Sequence, residues 1–303
     1  MPDKKWTADN MPDLTGKVVI VTGANSGIGL GATIQFARKG ACTIMACRNV
    51  EKAQDALKQI EDDIPDVKAE IITLDLASLT SVRQFVDEFK ARFNRLDVLV
   101  NNAGIMNVPY GTTEDGFELH FGINHLGHFA LTGLLIDLIL QTPDSRVVNV
   151  SSGGHLLARM DFDDLMYQKG KKYSEGFAYG QSKLANVLFT YELQRRFEAG
   201  RYDAKSMVVH PGWTETNLQV YSPNLQYLNR FLSQDIHWGA LPTLYAAVAE
   251  EAVGGAYYGP DGLFQLHGHP TRRKSSKASH SIPDAKRLWE VSEELTGVDF
   301  GAL

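Results

Sequence analysis

Thr22-Gly23-Ala24-Asn25-Ser26-Gly27-Ile28-Gly29 follows the apolar run 18–21 and leads into a helix-like segment, 30–39. The order is strand, glycine turn, helix start. Glycines at 23, 27 and 29 let the backbone turn tightly, bring its N–H groups close to a pyrophosphate and leave the anion at the positive end of a helix. The segment points to a ligand that carries phosphate. Ordinary strand-to-helix connections also use glycine, so the rest of the chain has to decide between the two.

Outward from the turn, short Val- and Ile-rich runs recur at 18–22, 42–46, 69–74, 98–101, 147–150 and 206–209, with a seventh at 256–258. Helix-length amphipathic segments alternate with them at 27–39, 50–61, 79–93, 113–140, 178–198 and 238–250. Such alternation predicts an α/β fold, a parallel sheet of about seven strands with helices on both faces. No linker-like stretch interrupts it, so the 303 residues read as a single domain. Ligands bind outside the carboxyl ends of such strands. Those ends carry Thr22-Gly23, Arg48, Asp75, Asn101-Asn102-Ala103-Gly104, Ser151-Ser152 and His210-Pro211-Gly212. Polar and glycine residues from distant parts of the chain therefore converge on one rim.

A net charge of −6 supplies no basic field for nucleic acid or an anionic membrane. The cluster Arg272-Arg273-Lys274 with Lys277 reads as a solvated surface loop. Cys42 and Cys47, five apart in one strand candidate, point to opposite faces and imply neither a disulfide nor a metal site. His125 and His128 lack a third ligand at suitable spacing, and His267 and His269 sit in a glycine-rich loop, so no metal is expected. The N-terminus has no apolar core of a signal, and the run 129–140 is too short to span a bilayer. The expectation is a soluble cytoplasmic protein without a membrane anchor.

Tyr179 and Lys183, spaced i, i+4 at the start of a helix, project from one face. A free phenol, with a pKa of about 10, handles protons poorly near neutrality unless a neighbouring positive charge stabilises its phenolate. Lys183 can supply that charge. An isolated Tyr and Lys on a solvated helix face would look the same, so two further segments matter. Asn124 lies inside a helix candidate, where Asn is disfavoured, and Ser151-Ser152 closes an apolar strand.

These residues together resemble the short-chain dehydrogenase/reductase family, across essentially the whole chain. Thr22 to Gly29 fits its TGxxxGxG turn, Asn101-Asn102-Ala103-Gly104 its NNAG, Tyr179 to Lys183 its YxxxK, and Pro211-Gly212 the PG after the sixth strand. More narrowly, Asn124-His125-Leu126-Gly127-His128-Phe129 and the stretch from Tyr179 to Asn186 resemble the retinol dehydrogenase and carbonyl reductase branch.

The resemblance implies a Rossmann-type, doubly wound fold, hydride transfer with a nicotinamide cofactor, and a carbonyl or alcohol substrate of small size. It makes Tyr179 the general acid in reduction and base in oxidation, with Lys183 lowering its pKa and binding the nicotinamide ribose. Asn124 would hold a water that relays protons from Lys183. One serine would bind the substrate oxygen, and the family places it second in the pair, at Ser152. Cofactor contacts would come from Gly23, Asn25, Ser26, Gly27, Ile28 and Gly29 in the turn, from Asp75 and Leu76 near the adenine, and from Asn102, Ala103 and Gly104. Pro211, Gly212 and Thr214 would complete them.

The second strand ends Ala46-Cys47-Arg48-Asn49, with no acid to accept the adenosine ribose hydroxyls, so NADP(H) is expected rather than NAD(H), with Arg48 on the 2′-phosphate. The interval between Ser152 and Tyr179 holds Asp161, Asp163, Asp164, Lys169, Lys171 and Lys172, and reads as a surface excursion beside the pocket. An arm at 1–14, an aromatic-rich segment at 213–238 and an extension at 264–303 flank the core. The segment 213–238, with Trp213, Tyr221, Tyr227 and Phe231, is either a substrate lid for an apolar compound or a packing surface. Members of the family pair through helices that correspond to 117–140 and 178–198, so a homodimer is also open. A dinucleotide-binding sensor or scaffold without useful turnover is the alternative function.

Overall fold

The computed structural model describes residues 5–170, 172–213, 235–301 and 303. Eight strands form one sheet: β1 (Val18–Thr22), β2 (Cys42–Cys47), β3 (Ala69–Thr73), β4 (Val98–Asn101), β5 (Arg146–Val150), β6 (Lys205–Val209), β7 (Tyr257–Pro260) and β8 (Pro270–Arg273). Their order is β3-β2-β1-β4-β5-β6-β7-β8. All neighbours pair in parallel except β7 with β8. The order reverses between β1 and β4, which opens a crevice at their carboxyl ends. Val18 to Thr22 are all buried, as expected of a strand covered on both faces.

The helices are α1 (Gly27–Arg38), α2 (Val50–Asp63), α3 (Leu79–Arg92), α4 (Leu119–Phe121), α5 (Gly127–Leu134), α6 (Ile136–Gln141), α7 (Glu175–Ala199), α8 (Ile236–Val248) and α9 (Ile282–Thr296). Asn49 caps α2 by accepting from the Lys52 N–H, Ser78 caps α3, and Ser281 caps α9 just before Pro283. One face of the sheet packs against Ile28, Ala32 and Phe36 of α1, Ile60 of α2 and Leu244 of α8. The other packs against Phe85 and Phe89 of α3, Phe129 and Leu131 of α5, and Phe189 and Leu193 of α7. Cys42 and Cys47 fall into these two opposite clusters, as their spacing requires, and both are free thiols.

Four features differ from the sequence reading. The single helix expected at 113–140 begins at Leu119 and is interrupted by a π-helical stretch, Gly122–Leu126. Arg272 and Arg273 lie on the edge strand β8 rather than in a loop, and Arg273 donates to the Pro260 carbonyl. That four-residue strand has no alternation to betray it. The segment between Ser152 and Tyr179 is more than a surface excursion, because Phe162, Leu165 and Met166 pack with Phe117, Phe121, Leu184 and Leu188. Finally, the C-terminal extension contains α9, which lies along α7 and inserts Trp289 among Phe129, Phe189 and Phe300. Among the described residues no helix is long and apolar enough to cross a membrane.

Trp289 is fully buried, and the Arg196 guanidinium sits 4.0 Å over its ring. Trp289→Ala is expected to cost about 3–5 kcal/mol, the range for truncating a buried aromatic. Denaturant unfolding of the two proteins measures it, and a loss below about 1 kcal/mol would show that α9 is peripheral.

Candidate active site

Thr22 fixes the turn to the neighbouring strand. Its hydroxyl oxygen accepts from the backbone N–H groups of Asn102 and Ala103, both at 2.9 Å. The Asn102 amide returns a bond to the Thr22 carbonyl at 2.8 Å. Gly23 then takes a φ of +67°, which a side chain would strain. A Cβ on Gly29 would overlap the Gly23 carbonyl, so the helix start can close on the turn only with glycine there. The Ser26 side chain makes no capping bond to α1, which leaves the first-turn N–H groups facing the cleft with their dipole. Gly23, Asn25, Ser26, Gly27, Ile28 and Gly29 all line it, and a pyrophosphate fits this cradle.

The cleft measures about 650 Å³. Asn102, Ala103 and Gly104 line its middle; Ser152, Tyr179, Lys183, Pro211 and Gly212 line one end, and Arg48, Asp75 and Leu76 the other. Thr214, and most of the segment 213–238, lie outside the described residues. Trp213 is described and also lines the cleft.

Tyr179 stands one turn before Lys183 on α7, and the ammonium lies 5.9 Å from the phenol ring centre. Ser152 Oγ and the Tyr179 ring flank the same point: a Cβ on Gly154 would stand 3.8 Å from the one and 3.2 Å from the other. Ser151 is otherwise engaged: it is buried, and its hydroxyl donates to the Lys183 carbonyl at 2.8 Å. Of the pair, Ser152 is the one that faces Tyr179. Lys183 Nζ donates to the Val150 carbonyl at 3.1 Å.

Burial pushes the Tyr179 hydroxyl above its ordinary value, with the neighbouring Ser152 pulling the other way. It pulls Lys183 down to about 8. The lowered Tyr179 value expected from Lys183 is thus not the resting state of the cleft. In the chain alone, desolvation disfavours the charged form of both groups and outweighs their proximity.

Asn124 lies in the π-helical stretch, which explains an Asn inside a helix: the bulge turns its amide out of the regular ladder. Its Oδ1 accepts from Ile105 N–H at 2.8 Å, and its Nδ2 donates to the Ile105 carbonyl and to Ser182 Oγ. Gly104 packs in the same corner, where a Cβ would stand 2.9 Å from Asn124 Oδ1 and 3.3 Å from Lys183 Nζ. One small residue therefore keeps the loop after β4 against both side chains.

Three contributors escaped the sequence reading. Lys52, in the first turn of α2, lines the same end of the cleft as Arg48 and Asn49; its place just after the Asn49 cap was the available signal. His128 donates through Nδ1 to the Asn124 carbonyl at 3.1 Å, which leaves Nε2 bare to accept from the Thr22 hydroxyl at 2.9 Å. Glu118 is buried and accepts from His120, Phe121 and the Tyr173 hydroxyl, and the His120 ring packs edge-on to Tyr179 at 6.2 Å. Burial works against the Glu118 carboxylate, yet the His120 and backbone bonds hold its pKa below the ordinary value. Only the fold reveals these partners.

A doubly wound sheet with a phosphate cradle at its reversal point, and a buried Tyr/Lys pair beside it, defines a nicotinamide dinucleotide-binding oxidoreductase. Residues 17–162 match the profile of the short chain dehydrogenase family. Retinol dehydrogenase 13 of Homo sapiens is 41% identical over 297 residues, covering 94% of this chain and 86% of that protein. Retinol dehydrogenase 12 of Mus musculus is 40% identical, covering 95% and 88%. A crystal structure of a putative uncharacterized protein from Mycobacterium paratuberculosis superposes with a TM-score of 0.83 at 40% identity, covering 98% of this chain and 99% of that one. The chain belongs to the short-chain dehydrogenase/reductase family and is retinol dehydrogenase-like.

Burial lowers His125 to about 3 and His128 and His210 to about 4. Unfolded histidines titrate near 6.5. As pH falls below that value, the unfolded chain takes up protons that the folded chain refuses, so stability drops progressively toward pH 4. The expected result is a denaturant midpoint that falls steadily from pH 6.5 to 4, while a midpoint flat over that window would contradict it.

Proposed function

We propose that the chain interconverts a carbonyl and an alcohol on an apolar small molecule, with NADP(H) as cofactor. The observation that carries this is the convergence of Ser152, Tyr179, Lys183 and Asn124, from three elements, at one end of the cleft. A sensor or scaffold has no need of all four.

NADP(H), when bound, supplies or accepts the hydride. Gly23 to Gly29 would hold its pyrophosphate, Asp75 and Leu76 its adenine side, and Lys183 the nicotinamide ribose. In reduction, Ser152 hydrogen-bonds the substrate oxygen and Tyr179 gives it a proton. The raised Tyr179 value suits that direction, because the hydroxyl keeps its proton at neutral pH. In oxidation Tyr179 takes the proton, and there the positive charges of Lys183 and of an oxidised nicotinamide favour the phenolate. Asn124 keeps a water beside Lys183 for relay to solvent.

The preference for NADP(H) rests on the adenosine end, where Arg48, Asn49 and Lys52 line the cleft at the start of α2. Two cations and a helix N-terminus favour a 2′-phosphate. Pairing through α7 is not part of the proposal: residues all around that helix are buried, and α9 of the same chain covers it.

Tyr179→Phe is expected to lower NADPH consumption about 10²- to 10⁴-fold over a panel of aldehydes and ketones, the usual worth of a general acid. Equal rates in the two proteins would sink the catalytic reading and leave the scaffold. Separately, Arg48→Asp should move the NADPH-to-NADH ratio of kcat/KM by about 10- to 100-fold toward NADH, the equivalent of one charged hydrogen bond. An unchanged ratio would remove Arg48 from the phosphate site.

A further inference from the structure

His155 is fully buried three residues after Ser152, in the short turn Gly153–Leu157. Its Nδ1 lies 2.6 Å from the Ser152 carbonyl oxygen, and its Nε2 lies 3.2 Å from the backbone N of Ser276. A carbonyl only accepts and a backbone N–H only donates, so both roles are settled: Nδ1 carries the proton and Nε2 receives one. The Ser152 carbonyl takes a second bond from the His155 N–H, and Ser152 Oγ accepts from Gly154 N–H at 3.3 Å. Main chain and side chain of Ser152 are thus gripped from the same turn.

The far side of the imidazole is anchored in the C-terminal extension. Ser276 accepts from Ser279 at its carbonyl and at its hydroxyl, and Ser275 Oγ bonds Tyr191 on α7 at 2.8 Å and His280 at 3.1 Å. Tyr257 of β7 packs edge-on against the ring at 5.2 Å and holds its plane. The bonds link α7 at Tyr191 through Ser275, Ser276 and His155 to Ser152, whose hydroxyl stands beside Tyr179 on the same helix.

We propose that His155 is a positioning residue that holds Ser152 against Tyr179, and that the C-terminal segment 275–280 is its anchor and so part of the active site. The inference rests on the role proposed above for Ser152. A neutral imidazole suits the task, because its two nitrogens present one donor and one acceptor along a fixed line, so both ends of the link are satisfied without a buried charge.

The test is a double-mutant cycle in kcat for carbonyl reduction, with NADPH affinity from fluorescence titration as control. His155→Phe keeps the ring volume without its nitrogens and is expected to lower kcat by about 10- to 100-fold, with the NADPH Kd unchanged. In a Ser152→Ala background the same change should cost nothing further. His155→Asn, whose Nδ2 can still donate to the Ser152 carbonyl, should recover most of the rate, whereas His155→Gln should not. If the Phe variant does not fold, this Asn/Gln pair makes the same comparison. The proposal is overturned if His155→Phe lowers kcat equally in both backgrounds, or if it leaves kcat unchanged while Ser152→Ala abolishes it. Full turnover in Ser152→Ala itself would instead overturn the role of Ser152, and the positioning role with it.

Discussion

The Thr22 hydroxyl accepts from two backbone N–H groups of the loop after β4 and donates to His128, whose other nitrogen holds the Asn124 carbonyl. Three segments far apart in sequence meet at that oxygen: the glycine turn, the loop 102–104 and the start of α5. The hydroxyl's two lone pairs are both used, and its single proton points to His128 at 2.9 Å in preference to the Val100 carbonyl at 3.3 Å. The crevice at the sheet reversal is therefore a shaped cradle rather than a gap between strands. Gly23 and Gly29 close its lower side, and Asn124 reaches the catalytic corner from above.

In the cleft and in the core behind it, burial is the dominant electrostatic influence. It raises Tyr179, lowers Lys183 and keeps the histidines at 125, 128 and 210 neutral. Neutral imidazoles serve as two-ended connectors here, one nitrogen donating and the other accepting. His128 connects cofactor turn to helix, and His155 connects Ser152 to the C-terminal extension. The same property makes the fold acid-sensitive, since protonating a connector turns its acceptor into a donor facing a donor. Position and protonation state are thus two aspects of one constraint.

Most of the sheet was legible because parallel strands buried on both faces are rich in Val, Ile and Leu, as the runs 18–21, 98–100 and 147–148 are. The glycine turn and the pair Tyr179 and Lys183 were legible through spacing, since chemistry at a helix start or along one helix face fixes intervals in the chain, while Asn124 was legible as a disfavoured residue inside a helix and through the family resemblance. What escaped has a common physical cause. The strand β8 is four residues long, α9 lies beyond the last recognised motif, and the segment after Ser152 is rich in charge while its few apolar residues find a core elsewhere. Each is stabilised by contacts with distant residues, and no local pattern records a distant partner.

The amino-acid sequence by itself determined the layered α/β architecture, the glycine turn and the placing of Tyr179 and Lys183 on one helix face, because periodicity and backbone freedom are properties of neighbouring residues. Only the tertiary structure decided which serine faces Tyr179, where Lys52 stands, and what the histidines do. Ser151 and Ser152 are chemically identical until one hydroxyl is spent on the Lys183 carbonyl. His128 and His155 are unremarkable until a donor and an acceptor from remote segments select one tautomer of each. Those choices depend on which groups are brought within 3 Å of one another in a space that excludes water, and that distance exists only once the chain has folded.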